Sequence, residues 1–166
     1  DDPNNLLMRQ ANGSFLEAGQ HAGAGNMERS QGAALVDLDL DGLLDIVVVN
    51  RRANAEILHN RSNDSGAWLQ VALRQGGGNV NAIGAWIEVR ADDEIWRQEV
   101  VIGGGHAGGQ SGWHHFGLGG AGEAEIRVQW PDGMWSAWQP AGRNRFITLK
   151  RAGYAVSAQF GPGGGA

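Results

Sequence analysis

Four aspartates, Asp37, Asp39, Asp41 and Asp45, stand in the run Asp-Leu-Asp-Leu-Asp-Gly-Leu-Leu-Asp. Alternate carboxylates at this spacing can point into one tight loop and serve a hard cation, and Ca2+ takes about six to eight oxygen ligands at ~2.3–2.6 Å. Gly42 supplies the sharp turn, Leu43 can offer its backbone carbonyl, and Asp45 can reach the same ion. A helical calcium loop would place a bidentate Glu where this chain has Val48, so the site is not of the helix-loop-helix kind. Without a cation the crowded carboxylates would repel one another, which disfavours a merely solvated acidic turn. Mg2+ suits the loop less well, because it demands compact octahedral coordination with retained waters. The expected ligands are Asp37, Asp39, Asp41, Leu43 and Asp45, and the expected cofactor is Ca2+.

Other chemistry-bearing residues point less sharply. His106, His114 and His115 offer imidazoles, but neighbours on an extended strand face opposite ways, so His114 and His115 cannot share one ion. Ser111 lacks the strand, sharp turn and helix of a nucleophile elbow. The glycines at 103–105 and 108–109 have neither a following Lys-Ser/Thr pair nor a helix to receive a phosphate. Of the indoles, Trp135 and Trp138 lie in a turn-rich stretch between Gly133 and Pro140 and are the best candidates for a contact surface, for a partner or a sugar ring. Asn12, Asn60 and Asn63 open Asn-X-Ser sequons and are candidate glycosylation sites.

The elements that must position these groups read as strands. Asn4 to Gly19 gives strand, Asn-Gly turn and strand, a hairpin. A strand over Gly32 to Val36 leads into the aspartate loop; Ile46 to Asn50 follows as a fully apolar, buried strand, and Glu56 to Asn60 as its antiparallel return. Turn residues from Arg61 to Gly66 mark a boundary. Beyond it strands are expected at Trp68 to Arg74, Ala85 to Arg90, Ile95 to Val101, Trp113 to Leu118, Glu125 to Trp130 and Phe146 to Arg151. Leu69, Val71 and Leu73 alternate with Gln70, Ala72 and Arg74, so each such strand should have one buried face. The fold class expected is all-β: a single propeller-blade-like antiparallel sheet over residues 1–62, joined to a β-sandwich or barrel-like domain over 63–151, with a frayed Gly-rich tail over 152–166.

Composition narrows the function. The chain has 166 residues, among them 28 Gly, 7 Trp and no Cys, and a formal net charge of -5. Without a basic stripe it is not expected to bind nucleic acid. The missing cysteines exclude disulfides, thiolate catalysis and Cys-based zinc sites. No apolar run is long enough to span a bilayer as a helix. The start at Asp1, without Met or leader, fits a processed mature form or a fragment of something longer.

Residues Asn4 to Asn60 resemble FG-GAP or VCBS repeats, the calcium-binding blades of integrin-like β-propellers. The resemblance lies in Asn5-Leu6-Leu7, Gly13-Ser14-Phe15, Gly32-Ala33-Ala34, the aspartate loop, Asn50, Leu58 and Asn60. It implies Ca2+ held between two strands of one blade. About one blade is present, so this chain alone does not close a propeller. Residues from about Trp68 to Lys150 resemble the ASPIC/UnbV domain, which follows such repeats in secreted bacterial proteins and in cartilage acidic protein. The matching blocks are Asn81 to Ala85, Gly103 to Gln110, His115 to Gly119, and Trp130-Pro131-Asp132-Gly133. No established catalytic activity accompanies that family. The expected function is a non-enzymatic, calcium-binding structural or adhesion module, secreted, periplasmic or on the cell surface, with a protein partner or self-assembly. The rival readings are a carbohydrate-binding module that stacks a glycan on Trp135 and Trp138, and a metal-assisted hydrolase.

Overall fold

The computed structural model describes residues 3–63, 65–106, 109 and 111–151. The tail at 152–166, and Ala107, Gly108 and Gln110 of the glycine-rich block, lie outside the described residues. Among those described the fold is all-β, without helix. The chain divides into two compact units, one comprising Asp1–Val36, Leu44–Asn60 and Gly105–Gly109, the other Asp37–Leu43, Arg61–Gly104 and Gln110–Ala166.

In the first unit, β1 (Leu7–Arg9) and β2 (Phe15–Glu17) form the expected hairpin. Its turn is closed by Gln10 N–H donating to the Ser14 carbonyl at 2.8 Å, with Gly13 at φ 83°. β3 (Ser30–Val36), β4 (Asp45–Asn50) and β5 (Glu56–Leu58) make an antiparallel sheet in that order. The β-branched run of β4 suits the central place, but Ile46–Asn50 is not the fully buried strand expected. Val49 is 56% exposed, and Ile57 of β5, which shares a face with it, is 65% exposed. Three short strands leave that face open. Polar contacts do part of the holding instead: Ser30 Oγ donates to Asn50 Oδ1 at 2.8 Å, and Asn50 Nδ2 donates to the Asn54 carbonyl and to Glu56 Oε1, both at 3.0 Å.

The second unit contains β6 (Ala67–Arg74), β7 (Trp86–Ala91), β8 (Glu94–Glu99), β9 (His114–Gly119), β10 (Ala124–Gln129), β11 (Gln139–Pro140) and β12 (Arg145–Lys150). They form two sheets, ordered β11-β10-β7-β8 and β12-β6-β9, with β12 running parallel to β6 and every other pairing antiparallel. Leu69, Val71 and Leu73 of β6, Phe116 and Leu118 of β9, and Ile147 and Leu149 of β12 pack in one core with Ile87, Val89, Ile126 and Val128 from the other sheet. That arrangement is a sandwich. β10 keeps the expected alternation, its odd-numbered Glu125, Arg127 and Gln129 facing away from the core. β6 does not: Gln70 and Ala72 are buried as well, at 2% and 4% exposure. A central strand can be covered on both faces, and what covers Gln70 is the acidic loop.

Candidate metal centre

The aspartate loop joins β3 to β4, and its residues Asp37–Leu43 belong to the second compact unit. Asp37 organises it. Its Oδ1 accepts from the Asp41 N–H at 3.1 Å, and its Oδ2 accepts from the Gly42 N–H at 2.9 Å and from Gln70 Nε2 at 2.5 Å. Asp41 Oδ1 in turn accepts from the Leu43 N–H at 2.8 Å. Left-handed backbone at Leu40 (φ 64°) and Gly42 (φ 93°) tightens the turn. Burial pushes the Asp37 carboxyl above its ordinary pKa and the Asp41 charge adds to this, while the N–H groups of Gly42, Leu40 and Asp41 pull it back.

Asp37, Asp39 and Asp41 each bring a carboxylate oxygen within 4.8 Å of the others. Oxygens bound to one Ca2+ at ~2.3–2.6 Å can lie up to about twice that distance apart, so the three fit a single ion. The donor set is hard oxygen, as calcium requires. Asp45, the first residue of β4, is 2% exposed, and its Oδ1 accepts from the Asn60 N–H at 2.8 Å and lies 3.1 Å from His59 Nδ1. Asn60 Nδ2 donates to the Leu44 carbonyl at 3.1 Å. Gln70 and His59 did not stand out in the sequence: nothing in a strand-like alternation or a lone imidazole announces a contact to an aspartate 33 or 14 residues away.

Trp135 and Trp138 lie on the outer face of the sheet β11-β10-β7-β8, where guanidinium groups lie over their rings. Arg127 is 4.2 Å from the Trp135 ring centre and 4.5 Å from that of Trp138; Arg90 is 4.3 Å from Trp138, and Arg97 is 4.3 Å from Trp86. Beneath them the buried Glu88 accepts from Arg127 Nε at 2.7 Å, and Glu125 accepts from Arg90 Nε at 2.7 Å. Cross-strand register creates this ladder, since Arg127 faces Glu88 and Arg90 faces Glu125 across β7 and β10. Trp135 is 39% exposed and Trp138 half-buried. The ladder therefore clamps the segment after Gly133 onto the sheet, with part of each ring face already taken.

The sequon asparagines differ in access. Asn12 and Asn63 are exposed, whereas Asn60 is half-buried with its amide committed to Leu44. His114 and His115 alternate across β9, opposite Val71 and Gln70 respectively. Burial holds both below the ordinary histidine pKa, and the Asp37 charge partly opposes this at His115.

Comparison with curated proteins gives no match. Residues 75–155, which include the strands from β7 to β12 and the turn Trp130-Pro131-Asp132-Gly133, match the model of the family described as ASPIC and UnbV.

Proposed function

We propose that the chain is a non-enzymatic, calcium-stabilised β module of an exported protein, serving adhesion or assembly. The observation that carries the calcium reading is the convergence of Asp37, Asp39 and Asp41 within one ion's reach in a loop already shaped by Asp37 and Gly42. Asp45 and the Leu43 carbonyl complete the proposed ligand set. Bound Ca2+ cancels carboxylate repulsion, so its binding free energy becomes folding free energy. The match to the ASPIC and UnbV family supports a structural or adhesion-type role. The open apolar face around Val49 and Ile57 supports a protein partner or self-assembly, because contiguous exposed apolar surface marks interaction sites.

The test is thermal unfolding with and without Ca2+. At a free concentration 100 times the Kd, the ion should add about 2.7 kcal/mol, reversed by chelator. Asp39→Ala should abolish the response. An unchanged melting temperature in the native protein, or an undiminished response in Asp39→Ala, rejects the ligand assignment.

A further inference from the structure

The acidic loop lies against β6 rather than standing free. A Cβ added at Gly42 would fall 2.0 Å from the Cε2 and Nε1 atoms of the Trp68 indole, so the loop backbone rests directly on that ring. Trp68 is itself fixed, stacked on His115 with ring centres 6.5 Å apart and meeting Phe146 edge-on at 5.2 Å. Phe146 in turn meets Trp113 edge-on at 5.0 Å. These aromatics come from β6, from β12 and from the start of β9, so they tie together all three strands of the sheet. Two residues along β6, Gln70 spends an amide N–H on Asp37 while only 2% exposed. A buried amide costs free energy if the partner it donates to moves away.

We infer that Gln70 and Trp68 are positioning residues for the cation loop, so that ion occupancy is linked to the stability of the sheet β12-β6-β9 and not only to the strands the loop connects. The inference rests on the calcium reading above. Gln70 orients the Asp37 carboxylate, and Trp68 sets the height of the Gly42 turn. Both residues precede the matched family span, which begins at residue 75.

The experiment uses the whole chain with two probes, Ca2+ by calorimetry and Tb3+ by luminescence excited through indole. Gln70→Met should weaken Ca2+ binding by roughly 10–100-fold, the range for partners that orient a metal ligand. Trp68→Phe should remove most of the Tb3+ emission excited through indole. Val71→Ala, which loosens the same strand on its core face, should leave Ca2+ affinity unchanged and so separates positioning from general destabilisation. Hydrogen exchange on the unmutated chain needs no variant: Ca2+ should slow exchange at the amides of β6 and β9. If the native chain binds Ca2+ but its β6 amides are indifferent to it, or if Gln70→Met binds as tightly, the linkage is wrong while the calcium reading stands. If neither Ca2+ nor Tb3+ binds, the calcium reading itself falls.

Discussion

In the second unit apolar side chains from two facing sheets close on one another, with Leu69, Val71, Ile87, Val89 and Ile126 at 0% exposure. In the first unit, among the described residues, the buried apolar side chains are Ala24 and Val48, and the other fully covered side chains are polar, Asp45 and Asn50. The sandwich has a core of its own. The three-stranded sheet is held by backbone ladders and by a network through Ser30, Asn50 and Glu56, and those contribute far less per residue than packed hydrocarbon once exchange with water is counted. The first unit therefore has less packed hydrocarbon to hold it than the sandwich has, and the following changes probe that contrast.

The largest effect is expected from Phe116→Ala, which opens a cavity in the sandwich and should cost about 3–5 kcal/mol in chemical denaturation. Ile57→Ala, on the open face of the small sheet, should stay within about 0.5 kcal/mol. Equal costs would erase the distinction between the units. Next, Asn50→Ala should take one partner from each of Ser30 and Glu56, which keep Asn4 and Asn26, and cost about 1–3 kcal/mol, with faster hydrogen exchange in β4 but not in β7. Uniform loss of protection in both strands would mean that the units unfold as one.

Arg127→Gln should cost less, roughly 1–2 kcal/mol. Glu88 would lose one cation while keeping Arg97, whose Nε lies 3.6 Å from Glu88 Oε1. Trp135 and Trp138 should become more accessible to a fluorescence quencher; unchanged quenching would show that the guanidinium does not hold them. The smallest effect is a pH slope. His114 is held below its ordinary value of 6.5 by burial, so the unfolded chain binds the proton more readily. Stability contributed by neutral His114 is therefore complete above pH 6.5 and declines as pH falls below it. His114→Gln should flatten that decline, and a slope unchanged in the variant would assign it elsewhere.

The sandwich strands were legible because their apolar alternation is regular, as in Ile126 and Val128 against Arg127 and Gln129. β11 was not, being two residues long and containing Pro140, and no periodicity exists over so short a span. The acidic loop announced itself through local spacing, since its carboxylates lie close together in the chain. Gln70 was hidden because alternation assigned it to solvent, and only tertiary contact with Asp37 reverses that. The Arg-Trp ladder was hidden for a related reason: Arg90, Arg97 and Arg127 sit on three different strands and become neighbours only through register.

The parallel pairing of β12 with β6 has a consequence for synthesis. Leu69 waits for Arg145 and Arg74 for Lys150, so the central strand of one sheet is completed by a strand that emerges long after it. Pairings between such distant segments are slow to form, because loop closure must precede any reward. Until Arg145–Lys150 arrives, β6 offers one bare edge beside an unfinished core, the kind of surface that recruits a neighbouring chain. A nascent or truncated chain ending before Phe146 would therefore be the aggregation-prone species, and chaperone protection over that interval would govern how much native protein accumulates.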